Sequence, residues 1–253
     1  MLYRDQFLCF ILVMLLLSSC DFNATKHVKD QKVTGWAVDD NGDSVYMRYN
    51  DKGRLSSYTT YKNGLKNGIA KKYYKNGKVQ FEIMYKDGLK EGVTKWYYDN
   101  GALYRETFYD DGEEEGIRKK YYESGKPMAE IPYRKGVFQP GLKEYTKSGK
   151  LKEIYPDLII QPVDRIAFEN TYYLQVYFEG KPKGTTYYRV IKNNGSNWES
   201  LEELPEKQGV GLKTYRVDKG GFIMQKEIFR GEFKTTLRNT YVVCKEFNLA
   251  IDN

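Results

Sequence analysis

Apolar and polar residues alternate in short segments along the middle of this chain of 253 residues. In residues 79–85, the side chains of Val79, Phe81, Ile83 and Tyr85 occupy every second position. Successive side chains of a β-strand point to opposite faces, so this spacing predicts a strand with two distinct faces. Similar segments follow one another, with glycine-containing turns between them. The pattern therefore predicts consecutive antiparallel strands.

Glycines recur every 24 residues and divide these strands into equal units. Two families fall at predicted turns: Gly53, Gly77, Gly101, Gly125 and Gly149 form the first, and Gly64, Gly88, Gly112 and Gly136 form the second. The dipeptide Asn76-Gly77 predicts a type I′ hairpin turn, whose two central residues have positive φ. Each unit then adds one hairpin, and residues 44–155 are predicted to form one antiparallel β-meander.

The repeated unit resembles a known family. It reads G-x-x-x-x-Y-x-x-x-G and then Y-x-x-G, as in "GIAKKYYKNG", "GVTKWYYDNG" and "GIRKKYYESG". This pattern is similar to the bacterial MORN-like repeat, and the resemblance covers about residues 44–155. It implies a scaffold for which lipid or protein binding has been proposed, and some bacterial relatives carry an antitoxin label. The motif indicates the repeat and leaves the partner open.

Each of the three best-matching units contains two adjacent tyrosines. They are Tyr73 and Tyr74, Tyr97 and Tyr98, and Tyr121 and Tyr122. Adjacent residues of a strand lie on opposite faces, so each pair places one ring on each face. The favoured interpretation is that the rings pack the sheet itself. The alternative is an aromatic platform that binds a peptide or a glycan.

The 24-residue period stops near Pro156 and Pro162, and a different pattern follows. Alternation from Arg165 predicts a strand in which Ile166, Phe168, Leu174 and other apolar residues share one face. Further strands are predicted at 185–191, 211–217, 222–229 and 239–247, with "FRGEF" among the turns and "NWESLEELPEKQG" as one helical turn. Many short strands without a long helical pattern predict a small β-sandwich or barrel-like domain over 160–253, after a repeat sheet over 44–159.

The chain begins with a predicted signal peptide, residues 1–19. An apolar run from Phe7 to Leu17 is too short to span a bilayer comfortably, and it ends at Leu17-Ser18-Ser19-Cys20. This resembles the lipobox of bacterial lipoproteins, which implies lipidation of Cys20. Residues 20–43 are then the lipidated N-terminus and a tether, and membrane lipid is the first partner. The expected location is the bacterial envelope, with the outer membrane favoured over the inner one.

Composition adds two constraints. The formal net charge is +7, yet the expected compartment makes nucleic acid an unexpected partner. Of three cysteines, Cys9 leaves with the signal and Cys20 is lipidated, so only Cys244 remains and no internal disulfide can form. The alternation of "TYVVCKEF" predicts Cys244 as a small buried residue.

The sequence offers few residues for catalysis. The single histidine, His27, lies in the predicted tether, so no Ser-His-Asp set and too few zinc ligands are available to the folded part. We therefore predict no catalytic, cofactor-binding or metal-binding residues. Acidic clusters at 39–43 and 110–115 lack the EF-hand spacing, and calcium binding there stays open. Glu82, Glu106 and Glu130 recur at one period and are interpreted as a surface row.

These observations favour a non-catalytic, membrane-anchored binding or scaffold lipoprotein of the bacterial envelope, with a protein or a glycan as its partner. An antitoxin or immunity protein that neutralises a toxin is the alternative, by analogy with labelled relatives. A glycan-processing enzyme, which would use paired carboxylates, is the third hypothesis.

Overall fold

The computed structural model describes residues 34–40, 42–153, 155–192 and 199–253, which are almost entirely β-structure. Within these residues, hydrogen bonds define one twelve-stranded sheet and two four-stranded sheets, and the one helix is α1 (Ile166–Glu169). The predicted fold class, an antiparallel meander followed by a smaller β domain, is confirmed. The predicted signal peptide, Cys20 and His27 lie outside the described residues. No helix in the described ranges has the length and apolar character needed to cross a membrane.

The chain forms two compact units, of which the first holds described residues 34–114 and 120–125. Its strands pair antiparallel in chain order, apart from the two-residue strand β6, which pairs with the end of β5 while β5 also pairs with β7. The strands are β1 (Gly35–Val38), β2 (Ser44–Tyr49), β3 (Leu55–Lys62), β4 (Leu65–Tyr73), β5 (Val79–Lys86), β6 (Leu89–Lys90), β7 (Gly92–Tyr97) and β8 (Leu103–Asp110). Strand β1 lies within the range expected to be a tether. It pairs with β2 over four residues, which is too short a segment for alternation to reveal.

Two kinds of turn alternate along this meander. Asn63-Gly64 and Asp87-Gly88 are two-residue loops in which both residues have positive φ, as a type I′ turn requires. At Asn76-Gly77 only Gly77 has positive φ. The amide of Gly77 donates to the carbonyl of Tyr74 at 2.9 Å, so the loop has three residues and ends in a left-handed glycine. The type I′ prediction at Asn76-Gly77 was wrong because the extra residue shifts Asn76 out of the left-handed position.

The nine predicted turn glycines all have positive φ, from +66° at Gly53 to +94° at Gly149. A side chain with a Cβ atom is strained in this region, which explains why one residue type recurs at these positions. The two turn families therefore have a shared backbone requirement even though their loop lengths differ.

The sheet of the first unit lacks a conventional core. Its six buried residues are Ala37, Val45, Thr60, Thr94, Thr107 and Tyr109, and three of these are threonines. Most other side chains on both faces are half-buried or exposed. Cross-strand side-chain pairs, rather than a packed second layer, must therefore supply much of its stability.

The second unit contains residues 115–119 of strand β9 (Glu113–Tyr121) and residues 126–253. It begins with β10 (Pro127–Arg134), β11 (Val137–Phe138) and β12 (Lys143–Glu144). Ala129, Ile131, Tyr133 and Leu142 form a buried cluster here, against which Tyr155 and Tyr241 pack.

The rest of the second unit is a β-sandwich. One sheet has the order β13-β14-β18-β17 and the other β16-β15-β19-β20. The strands are β13 (Leu158–Arg165), β14 (Thr171–Phe178), β15 (Thr186–Lys192), β16 (Glu199–Glu203), β17 (Glu206–Lys207), β18 (Val210–Arg216), β19 (Phe222–Lys234) and β20 (Thr240–Asp252). Leu174, Val176 and Phe178 of the first sheet share one core with Phe229 and Leu249 of the second.

Several local predictions for this region were wrong. Residues 166–169 form α1 rather than a strand, and Phe168 is 92% exposed. The segment 199–203 is strand β16 rather than a helical turn, because it pairs antiparallel with β15. Cys244 is exposed. In β20 the buried side chains lie at even-numbered positions up to Val242 and at odd-numbered positions from Leu249. The alternation at the start of the strand therefore does not continue to Cys244.

The predicted turn "FRGEF" lies inside the long strand β19. An ideal Cβ atom on Gly231 would lie 2.7 Å from Cδ1 of Leu158 and 2.8 Å from Cζ of Phe178. Gly231 therefore lets the two sheets of the sandwich approach each other, and it does not mark a reversal of the chain.

Candidate functional site

The two faces of the first unit's sheet differ in charge. One face carries a cross-strand row in which lysine and glutamate alternate, with Lys71 opposite Glu82, Glu82 opposite Lys95, and Lys95 opposite Glu106. The Lys71 ammonium and the Glu82 carboxylate are 2.9 Å apart. We call this row the paired-charge row. Opposite charges on neighbouring strands stabilise a sheet and cancel its surface charge.

Hydrogen bonds favour the ionised form of Glu82 in this row. The bond from Lys71 is the main cause that lowers the pKa of Glu82, and the Tyr97 hydroxyl also donates to it at 2.8 Å. Burial and this bond raise the pKa of Tyr97 to about 12. In the second unit, Glu130 is 3.5 Å from Lys143 and accepts the Tyr145 hydroxyl at 3.3 Å. The predicted glutamate row thus consists of charges matched by lysines.

The opposite face carries a row of cations and rings. Register places Arg48, Ser57, Lys72, Phe81, Trp96 and Arg105 side by side across β2 to β8. The Phe81 and Trp96 rings are 4.8 Å apart. The Lys72 ammonium lies 5.9 Å above the Phe81 ring, and the Arg105 guanidinium lies 5.1 Å above the Trp96 ring. Each distance is within the range of a cation–π contact.

A second set of cation–ring contacts lies farther along the same strands. The Lys66 ammonium is 4.9 Å from the Tyr85 ring centre, and the Lys90 ammonium is 4.5 Å from that of Tyr109. We call the surface formed by both sets the aromatic–basic face. Its cations are Arg48, Lys66, Lys72, Lys90 and Arg105, and its rings are Phe81, Tyr85, Trp96 and Tyr109.

Two threonines on the aromatic–basic face have buried hydroxyls. Thr94 and Thr107 are cross-strand neighbours and are 6% and 2% exposed. Among the described residues, neither hydroxyl has a hydrogen-bond partner. An unpaired buried hydroxyl costs free energy. Most buried polar groups in proteins are paired, so these two merit an explanation.

Two of the predicted tyrosine pairs make a hydrogen bond from one unit to the next. The second tyrosine of a pair donates its hydroxyl to the next unit: Tyr74 to the carbonyl of Tyr97 at 2.7 Å, and Tyr98 to that of Tyr121 at 2.8 Å. These bonds support the interpretation that the rings pack the sheet. Tyr73, Tyr121 and Tyr122 are half-buried. A role for the six tyrosines in binding stays a prediction.

The sequence search missed the residues of the cation–ring row because it sought residues that recur. Lys72 and Trp96 are 24 positions apart and so equivalent, as are Phe81 and Arg105. From one unit to the next, the cation and the ring exchange strands. The contact recurs while the residue type at each position does not, and only the register of the strands reveals it.

The acidic clusters have structural roles. The side chain of Asp39 accepts the amide of Asp43 at 2.9 Å and the hydroxyl of Tyr58 at 3.1 Å. Carboxylate oxygens of Glu91, Asp110 and Asp111 lie within 4.8 Å of one another. Exposed carboxylates at turns commonly meet without a metal, and nothing else at this group indicates a ligand.

The sandwich contains a buried ionic network. Glu227 is 2% exposed, and it accepts hydrogen bonds from Arg189 at 2.6 Å and from the hydroxyl of Tyr215 at 2.7 Å. Arg189 also contacts Glu202, which Lys213 holds at 2.7 Å. The bond from Lys213 is the main cause that lowers the pKa of Glu202. These bonds join strands of both sheets, so the network ties the sandwich together.

The sandwich also has a surface cavity of about 330 Å³ between the loops at 181–185 and 206–209. Lys181 and Lys183 line it together with Glu206 and Gln208. The carboxylate of Glu206 accepts the amide of Gly209 and thereby holds one of the two loops in shape.

A second buried carboxylate holds the end of the repeats in the second unit. Glu144, which is 1% exposed, accepts hydrogen bonds from the Thr235 hydroxyl and the Asn239 amide at 2.6 Å each, and from Tyr155 at 3.2 Å. Lys152 lies 3.5 Å away. Strand β12 is thereby fixed to the loop between β19 and β20.

Three segments of the chain match the family described as MORN repeat variant, at residues 66–87, 90–111 and 114–135. The first match begins in β4 and ends just beyond β5, and the third begins in β9 and ends just beyond β10. The second begins in β6 and ends just beyond β8. No curated protein matches the chain. The chain therefore contains MORN-type repeats, a family that is generally non-enzymatic and whose repeats suggest a binding or scaffold role.

Proposed function

We propose that this protein is a non-catalytic binding or scaffold protein of the bacterial envelope, anchored to a membrane through lipid on Cys20. The observation that carries the binding role is the first unit's sheet, which exposes both faces and has only six buried side chains among its described residues. A sheet with so few buried side chains does not form a core for other parts of the chain, while its two open faces offer a wide surface for contact.

The state of the repeated carboxylates argues for binding rather than hydrolysis. A glycosidase needs one carboxylic acid that stays protonated, and this requires a raised pKa. In Glu82 the hydrogen bond from Lys71 lowers the pKa instead. A lysine in the neighbouring strand also lies opposite Glu106 and Glu130. This row therefore suits the stabilisation of a surface better than proton transfer.

Capture of partners from an envelope extract tests the binding role. We expect the full-length protein to retain a partner, and the single variants Glu82→Gln, Glu106→Gln and Glu130→Gln to retain it with little change. Binding that is spread over repeated units is rarely abolished by one polar side chain. If the protein shows an enzymatic activity and one of these substitutions reduces that activity a thousandfold, the carboxylate is catalytic and the proposal is wrong. A captured toxin would favour the antitoxin alternative.

Lipidation is tested separately with Cys20→Ala and labelled palmitate. We expect the wild-type protein to take up the label and to sediment with membranes, and the variant to remain unprocessed and unlabelled. A variant that is cleaved and released normally, or a wild-type protein that takes up no label, would contradict the anchor. Sucrose-gradient fractionation would then distinguish the outer membrane, which we favour, from the inner one.

A further inference from the structure

We propose that the aromatic–basic face binds an acidic polysaccharide, in particular a polymer that contains uronic acids. This inference rests on the proposed binding function and names the class of ligand. It concerns the face defined above by the rows through Lys72, Phe81, Trp96 and Arg105, together with the contacts at Tyr85 and Tyr109.

The first argument is the segregation of charge between the two faces. On the opposite face, Lys71 and Lys95 lie across from glutamates. On the aromatic–basic face, the cross-strand row from β2 to β8 contains three cations and no carboxylate. Within the described part of the chain, its cations Lys72 and Arg105 form no ion pair. Carboxylates or sulfates of a partner are the groups that would complete this face.

The basic character has a clear end. Glu114 follows the equivalent positions Lys66 and Lys90 by the 24-residue step, and its carboxylate accepts the Tyr109 hydroxyl at 3.0 Å. An acidic ligand is therefore favoured over β2 to β8 and disfavoured beyond Tyr109. This limit predicts a binding region of defined length.

The second argument is the pairing of each cation with an aromatic ring. The rings of Phe81 and Trp96 are half-buried, so part of each remains open to a ligand. Carbon-bound hydrogens of a sugar ring pack against the face or edge of such a ring, while a carboxylate requires a cation. A uronic acid presents both features within one residue. Lys72 beside Phe81 and Arg105 beside Trp96 match that combination.

The third argument concerns the spacing of the units. Equivalent positions of successive units are two strands apart, or about 9–10 Å at the usual strand separation. An extended polymer that crosses the strands would meet cation–ring pairs in both of the units that span β4 to β8.

Two other acidic partners fit the face less well. A peptide that adds to a sheet needs free backbone groups, and strands β2 to β5, β7 and β8 are each paired on both sides. A bilayer favours cations that project from a surface beside apolar side chains that can insert. Here the four cations of the cation–ring pairs lie 4.5–5.9 Å from ring centres, close over the sheet.

The test is titration calorimetry of residues 21–253, which lack the predicted signal peptide and the cysteine expected to carry lipid, against polygalacturonate and alginate. We compare wild type with Lys72→Gln/Arg105→Gln and with Trp96→Leu, which leaves the charge unchanged. The matched control is Lys71→Gln/Lys95→Gln, which removes two cations from β4 and β7 on the opposite face. Circular dichroism and melting temperature establish that each variant is folded.

We expect wild type to bind at least one of the two polymers and not neutral dextran. The double variant on the aromatic–basic face should bind about tenfold more weakly, which corresponds to the loss of two modest cation contacts. Trp96→Leu should weaken binding about fivefold, and the control should stay within about twofold of wild type.

Four outcomes would overturn the inference. They are binding of neither polymer, equal loss in the control variant, equally tight binding of polyglutamate, and binding of phosphatidylglycerol vesicles with no binding of either polymer. In each case a partner captured from envelope extract would still support the general binding function. Failure of the glycan assignment is therefore distinguishable from failure of the proposed function.

Discussion

Gly231→Ala should destabilise the sandwich, although the residue lies in a regular strand, where alanine is intrinsically more favourable than glycine. The new methyl carbon would lie 2.7 Å from Leu158 and 2.8 Å from Phe178, both of which are fully buried. Carbon atoms in contact are usually about 3.5–4.0 Å apart, so the neighbours must move by about 0.8 Å or more. Leu158 and Phe178 lie in paired strands, which restricts that movement.

The magnitude follows from two opposing effects. Overpacking a tight core costs about 1–3 kcal/mol. Replacing glycine also reduces the entropy of the unfolded chain, which returns about 0.4–1 kcal/mol. We therefore expect the free energy of unfolding of Gly231→Ala to fall by about 1–2 kcal/mol. For a unit of this size, the melting temperature should fall by roughly 2–8 °C.

Gly35→Ala is the matched control. Gly35 also lies in a strand without positive φ, and an added Cβ would have nothing within 4 Å. Only the entropic effect applies there, so its stability should stay equal to wild type or rise slightly. Scanning calorimetry gives the melting temperatures, and hydrogen exchange of β13, β14 and β19 locates the change. A Gly231→Ala protein that melts at or above the wild-type temperature would refute the close-approach argument.

Four further changes test other parts of the molecule. Gly101→Val places a β-branched residue at φ +92° and should lower the free energy of unfolding by about 1–3 kcal/mol in urea denaturation. Glu144→Ala leaves buried donors without their acceptor and should cost about 3–5 kcal/mol in the same assay. The folded pKa of Tyr97 is about 12, above its ordinary value. The Tyr97 hydroxyl should therefore stabilise the fold fully below pH about 10 and lose this effect towards pH 12. Ultraviolet titration of wild type against Tyr97→Phe would show this. The folded pKa of Glu82 is lowered, so its contribution to stability is present above the pKa of the unfolded chain and is lost as the pH falls through the folded pKa. Lys71→Gln should raise the folded pKa of Glu82 in an NMR titration.

Repetition made the meander predictable from sequence. Each strand in this region has a turn glycine on at least one side, and the local alternation agrees with the strand bounds. Local signals and the global fold point to the same answer there. The turn type at Asn76-Gly77 was the exception, because a dipeptide does not specify how many residues the loop contains.

The sandwich was predictable only as a class of fold. Its glycines have several roles, and sequence alone does not separate a turn glycine such as Gly220 from a packing glycine such as Gly231. Strand β16 has acidic residues that suit a helix, yet it pairs with β15. Tertiary contacts decided these cases, and local propensity did not.

The candidate site shows a limit of a different kind. Searching for recurring residues finds the lysine–glutamate row and the tyrosines, since these keep their type at each 24-residue step. Two of the cation–ring pairs recur as contacts while their members exchange strands, from Lys72–Phe81 to Arg105–Trp96. The pairs Lys66–Tyr85 and Lys90–Tyr109 instead keep their residue types. Register is needed to bring the members together, and register depends on turn lengths that the sequence states only indirectly.

The contrast between the faces also bears on why the sheet carries unpaired cations at all. A sheet with few buried side chains depends on its cross-strand pairs, and the paired-charge row supplies them on one face. On the other face Ser57 and Phe81 lie across from Lys72, and Trp96 lies across from Arg105, so the neighbouring strands offer these cations no carboxylate. The chain instead has Lys72 and Arg105 above aromatic rings, an arrangement that leaves positive charge uncompensated among the described residues. The cation–π contacts contribute to the stability of the sheet, and the proposed acidic ligand would supply the negative charge that this row lacks.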